Sequence, residues 1–122
     1  MPILDVEFVL PAGQAIPPGI AGTIADAAAA VFQTPQGQTW VRFHELSQER
    51  YSENGGGPES GEQPVFVHVL KAAVLKGPEL EKEALALAAA VARACNRPVE
   101  NVHVLYEPPA AGRIAFGGRF LR

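Results

Sequence analysis

The feature that most constrains this chain is a repeated spacing. Pro2 opens the run Ile3-Leu4-Asp5-Val6-Glu7-Phe8-Val9, and Pro64 opens Val65-Phe66-Val67-His68-Val69-Leu70. Pro2 stands as far from Thr39, where a third such run begins, as Pro64 stands from Asn101, where a fourth begins. An alanine-rich, helix-forming segment lies between the members of each pair. The reading is two βαβ units in tandem, at 2–46 and 64–107, with an excursion at 47–63 and a tail at 108–122. A βαβ crossover is right-handed and leaves its two strands parallel. The excursion lets the halves meet antiparallel. The predicted fold is α+β: one domain over residues 1–122, a four-stranded mixed sheet with both helices on one face.

Local signals agree with that plan. Pro17-Pro18-Gly19 precedes the first helix, on which Ile20, Ile24, Ala27 and Val31 share a face. Pro35 stops it. Along Thr39–Leu46, Val41 and Phe43 fall on one face, Arg42 and His44 on the other. The second helix is expected over 79–95. The excursion reads as flexible, with a short hairpin at Asn54-Gly55. The tail is expected to add a short edge strand near Gly117-Gly118. The run Val65–Leu70 is apolar at almost every position, as in a strand buried on both faces. Two helices cover one face only, so a copy of the same chain is expected on the other.

Composition narrows the function. The formal net charge is -3 and no basic block is present, so neither nucleic acid nor a membrane surface is an expected partner. The N-terminus has no positively charged start followed by an apolar run, so no signal peptide is read. The single Cys95 excludes an internal disulfide and fits a reducing compartment, and the expected location is cytoplasmic. In its alanine-rich setting Cys95 reads as a buried structural thiol. Cys95, His44, His68 and His103 lack metal-ligand spacing, and Gly55-Gly56-Gly57 reads as a turn rather than a phosphate loop. Neither a metal nor a cofactor is called for.

Pro2 bears on chemistry. If Met1 is removed, Pro2 carries a free secondary amine at the head of a strand. An α-amino group ordinarily titrates at about 7.7–8.0. Burial or a nearby cation lowers that value and makes the amine a usable general base. On Met1-Pro2 alone, an ordinary chain start is the simpler reading.

Four pieces in order change that balance: Met1-Pro2 before a strand; Val41-Arg42-Phe43-His44-Glu45; Phe66-Val67-His68 followed by Lys71; and Ile114-Ala115-Phe116-Gly117-Gly118. Together, over essentially the whole chain, they resemble the tautomerase superfamily. The two-unit length is similar to its migration inhibitory factor, 5-(carboxymethyl)-2-hydroxymuconate isomerase and cis-3-chloroacrylic acid dehalogenase branches. The resemblance implies a homotrimer with sites at subunit boundaries. It implies a cofactor-free keto–enol tautomerase or isomerase in which Pro2 is the base on a small anionic substrate, a 2-hydroxydienoate or enol acid. Arg42, Lys71 and Lys76 are the implied carboxylate-binding cations, with His68 and His103 as further pocket candidates. Each also has a plainer reading: solvated charges for the cations, a core histidine for His68, packing or surface for His103. The dehalogenase branch's acidic tail residue is Ala115 here, and its helix histidine falls at Ala28 or Ala29, so water addition is not expected. A proline-dependent decarboxylase or lyase, or a non-catalytic trimeric binding protein, are the alternatives.

Overall fold

The computed structural model describes residues 2–58 and 63–122. Met1 and residues 59–62 of the excursion, and with them the question of Met1 removal, lie outside the described residues. Strand β1 (Ile3–Leu10) is followed by helix α1 (Ile20–Phe32) and strand β2 (Trp40–Ser47). Strand β3 (Val65–Leu70), helix α2 (Gly77–Cys95) and strand β4 (Val102–Tyr106) repeat the pattern. The sheet order is β2-β1-β3-β4. The outer pairs are parallel and the central β1–β3 pair is antiparallel. Ile3 sits opposite Trp40 and Val65 opposite Val102, the same sequence offset in both halves. The expected mixed sheet is therefore present.

Period-two alternation decides what each face carries. Leu4, Val6 and Phe8 of β1 and Val65, Val67 and Val69 of β3 are at most 1% exposed. They pack with Ile24 and Ala28 of α1 and with Leu87 and Val91 of α2 in one core, so both helices lie on this face. The intervening residues Ile3, Asp5 and Glu7 face away, in register with Trp40, Arg42 and His44 on one side and Leu70, His68 and Phe66 on the other. Both helices end alike. Gln33 and Asn96 adopt left-handed conformations, and their N–H groups reach back to Ala29 O and Ala92 O.

Three local expectations are modified. Helix α2 begins at Gly77, because Pro78 suits a first helical turn and belongs inside the helix. The short hairpin at Asn54-Gly55 is a single bridge between Glu53 and Gly57. The tail does not extend the main sheet. Strands β5 (Ala115–Phe116) and β6 (Arg119–Phe120) form their own hairpin, turning through Gly117 and Gly118 at φ 58° and 87°. Two successive positive φ values suit paired glycines. Ala110 N–H to Lys71 O at 2.8 Å and Leu121 N–H to Ile114 O at 2.9 Å tie this tail down. In the single chain Phe66, His68 and Leu70 are half-buried rather than buried, because no helix covers their side.

Candidate functional site

Pro2 precedes β1, one of the two central strands of the sheet. It is buried, and its carbonyl accepts the Trp40 N–H at 3.0 Å. The sheet register then gathers a set of side chains on the open face one residue further in. Ile3 stands between Trp40 and Leu70, and Asp5 beside Arg42. With Ile114 from the tail, these residues line a cavity of about 380 Å³. Trp40 forms one wall: its Nε1 donates to Gly37 O at 2.9 Å, and its ring meets Phe116 edge-on at 5.5 Å. The walls are therefore mainly apolar, with one ion pair among them.

That pair is a two-point fork. Arg42 Nε and Nη2 donate to the two Asp5 carboxylate oxygens at 2.6 and 2.8 Å. The hydrogen bond from Arg42 holds the Asp5 carboxyl below the usual carboxylate range, and Asp5 raises Arg42 in turn. His44 Nε2 lies 3.6 Å from Asp5 Oδ1.

Lys71 is the next residue out from the Ile3–Leu70 pair, as Pro2 is on the neighbouring strand. Its side chain runs to the helix side of the sheet. Nζ donates to Glu83 Oε2 at 2.9 Å and lies 5.0 Å from the Phe32 ring centre. Tyr106 Oη donates to the other Glu83 oxygen at 2.9 Å. The pair is well covered, with side chains 17% and 9% exposed. Burial, reinforced by the Glu83 hydrogen bond, pushes the Tyr106 phenol well above its ordinary value. A cavity of about 560 Å³ opens here, with Phe32, Lys71, Glu79, Lys82 and Glu83 in its lining.

The six residues named from sequence thus do not form one cluster. Arg42 lines the open-face cavity and Lys71 the helix-side one, while Pro2 lies in neither described lining, one residue before Ile3. Lys76 stands exposed at the N-cap of α2, outside both described linings. His68 lies on the open face with Nδ1 3.0 Å from Glu107 Oε1. His103 is exposed on β4, its ring 5.4 Å from that of Phe66. Sequence reasoning missed Asp5 and Glu83, the partners that occupy Arg42 and Lys71, and the part of Tyr106 in holding Glu83. Asp5 was legible in principle, as the residue that the repeat spacing sets beside Arg42. Nothing in the sequence separates Glu83 from Glu79 or Glu81 on the same helix. Ala28 is fully buried in the core, so a histidine has no room to act there. Among the described residues, no group of three His, Cys, Asp or Glu could hold a metal, and no helix is long and apolar enough to cross a membrane.

No protein-family model and no curated protein matches the sequence. Solved structures do match. A macrophage migration inhibitory factor from Oncomelania hupensis aligns with a TM-score of 0.74 at 17% identity, covering 100% of this chain and 83% of that one. A fused 4-OT solved as a symmetric trimer gives 0.71 at 18% identity, covering 97% and 94%. A malonate semialdehyde decarboxylase inhibited by 3-bromopropiolate gives 0.67 at 16%, covering 94% and 88%. At such identities the likeness speaks to backbone architecture. The repeated βαβ spacing, the mixed sheet and these alignments agree: the chain has the tautomerase-superfamily fold.

Proposed function

We propose that this protein is a cofactor-independent keto–enol tautomerase or isomerase that uses the amino-terminal Pro2 as general base on a small enol acid or 2-hydroxydienoate. The observation that carries the reading is the position of Pro2: buried, pinned through its carbonyl to Trp40, and next in sequence to Ile3 in the wall of a mainly apolar cavity. A base on a central strand is held in place, as positioned proton transfer requires. In the proposed cycle the neutral Pro2 nitrogen takes the enol proton. The O–H bond breaks, the C=C electrons shift toward carbon as the C=O forms, and the protonated proline returns the proton to that carbon. Redox balance is unchanged, so no cofactor is required. Arg42, Lys71, Lys76, His68 and His103 remain the proposed substrate-contacting groups, with Arg42 nearest the cavity. The trimeric assembly of the fused 4-OT structure supports a homotrimer here; the sheet face that no helix covers is the surface proposed to turn inward.

The test has two parts. Intact-mass spectrometry is expected to find Pro2 as the first residue, because a proline nitrogen in a peptide bond has no basic lone pair. Turnover of enol-phenylpyruvate or 2-hydroxymuconate, followed by ultraviolet absorbance, is expected to fall by about 10²-fold or more in Pro2→Ala. A fully active Pro2→Ala protein rules the reading out. The decarboxylase among the matched structures gives a second reading on the same proline. Carbon dioxide release from a 3-oxo acid, without tautomerisation of enols, would favour it.

A further inference from the structure

Two exposed apolar features stand at opposite edges of the sheet. The first is the tail hairpin. Cross-strand partners share a face, so Phe116 and Arg119 look one way and Ala115 and Phe120 the other. Phe116 is taken up by its own chain, edge-on against Trp40 of β2. Phe120 is thus turned away from Trp40 and is 57% exposed, with Ala115 exposed beside it. The segment carrying it, residues 108–122, holds Arg113, Arg119 and Arg122 and no Asp or Glu, in a chain of formal net charge -3.

The second feature lies along the far edge. The sheet order puts β4 opposite β2, with no further strand beside it among the described residues. There Ala84, Leu85 and Ala88 of α2 and Val102, His103 and Val104 of β4 line an open hollow of about 340 Å³. Leu85 is 73% exposed. A lone exposed leucine is ordinary, but one beside an apolar hollow on a free strand edge marks a contact surface. Exposed Glu81 stands one helical turn before Leu85, and exposed Glu100 two residues before Val102. Lys82, next to Glu81, lines the cavity with Phe32 and Lys71 instead. The surroundings of the hollow are therefore acidic where the tail is basic.

Three strand spacings of about 4.8 Å put roughly 14 Å between β2 and β4, so a hairpin resting on β2 does not close over its own hollow. The hairpin of one copy meeting the hollow of the next is a head-to-tail contact, and such contacts close into a ring when the rotation allows. Resting on the homotrimer proposed above, we infer that the tail hairpin is a docking arm for a second copy of this chain. Phe120 seats in the hollow between α2 and β4 of the neighbouring protomer, and the arginines of the tail face the acidic surroundings of that hollow.

The experiment measures mass by light scattering across a dilution series for wild type, Phe120→Asp, Leu85→Lys and the double variant. Both side chains are more than half exposed in the single chain, so each variant is expected to keep the wild-type far-ultraviolet spectrum. Each single variant is expected to raise the concentration for half-assembly by about tenfold or more. The double variant sets Asp against Lys across the same contact and is expected to recover about tenfold of that loss at low salt, with the recovery shrinking as salt is added. Single variants that stay trimeric at wild-type concentrations overturn the inference and leave the homotrimer standing. Single variants that dissociate, with a double variant no better assembled than either, show that the two patches do not meet and also overturn it. A monomeric wild type overturns the homotrimer itself.

Discussion

The two faces of the sheet are made from the same strands and answer to different constraints. Toward the helices, β1 presents Leu4, Val6 and Phe8, and β3 presents Val65, Val67 and Val69, all essentially excluded from solvent. Away from them the same strands present Ile3, Asp5, Glu7, Phe66, His68 and Leu70, a mixture of charge, imidazole and apolar surface. The helix side tolerates only shape-matched hydrocarbon, because it closes on itself within one chain. The open side is built from interactions that can be exchanged. Its ion pairs are exposed, with Arg42 and Asp5 side chains 68% and 34% accessible, and Trp40 and Leu105 stand about half exposed. Stability within one chain belongs to the first face; proposed recognition and assembly belong to the second.

The sharpest way to break that division is to cut a large side chain from the helix side. Phe8 is 1% exposed, meets Phe43 at 5.1 Å between ring centres and lies under the Arg97 guanidinium at 5.7 Å. Phe8→Ala removes this packing and leaves a cavity, at an expected cost of about 3–5 kcal/mol. Urea denaturation monitored by circular dichroism measures it. A cost below about 1 kcal/mol would mean that the core is not where the fold is held.

The matching change on the open side is expected to leave each chain folded and alter its assembly. Leu105 is 54% exposed in the single chain, on the strand that also carries His103. Leu105→Asp places a charge where the proposed trimer packs its inner surface. Light scattering is expected to give a three-chain mass for the wild type and a one-chain mass for the variant, with the far-ultraviolet spectrum unchanged. A monomeric wild type would remove the inward-facing role proposed for this face.

How far the sequence carried this picture follows the same division. The repeated offset from Pro2 to Thr39 and from Pro64 to Asn101 specified the parallel pairs, the mixed sheet and the placement of both helices on one face, because period and spacing govern which segments can pair; the strand order β2-β1-β3-β4 came from the structure. Alternation in Val41-Arg42-Phe43-His44 correctly divided β2 between the faces. What it did not supply was the disposition of the cations. Lys71 follows a strand, yet its side chain climbs to α2, where Glu83 lies beside several equivalent glutamates. Side-chain reach across layers has no sequence period. The tail misled for a related reason: two glycines announce a turn, but whether the resulting strands join a sheet depends on anchors such as Ala110 N–H to Lys71 O.

The smallest expected effect tests whether the Arg42–Asp5 pair belongs to the exchangeable side. The hydrogen bond from Arg42, ahead of the Coulomb attraction, lowers the Asp5 pKa in the folded chain. A carboxyl with a depressed folded value stabilises the fold above its unfolded pKa of about 4. That contribution is lost as pH falls through the lower folded value, where Asp5 takes up its proton in both states. In Arg42→Met the folded and unfolded values draw together, so this part of the pH dependence should flatten. The comparison is the change in urea midpoint between about pH 5 and pH 2.5, expected to be slightly smaller in the variant. Because the guanidinium is exposed and water competes for it, stability near pH 7 should barely move. A large loss at pH 7 would show that the open face holds the chain together after all, and the contrast between the two faces would fail at the pair that best represents it.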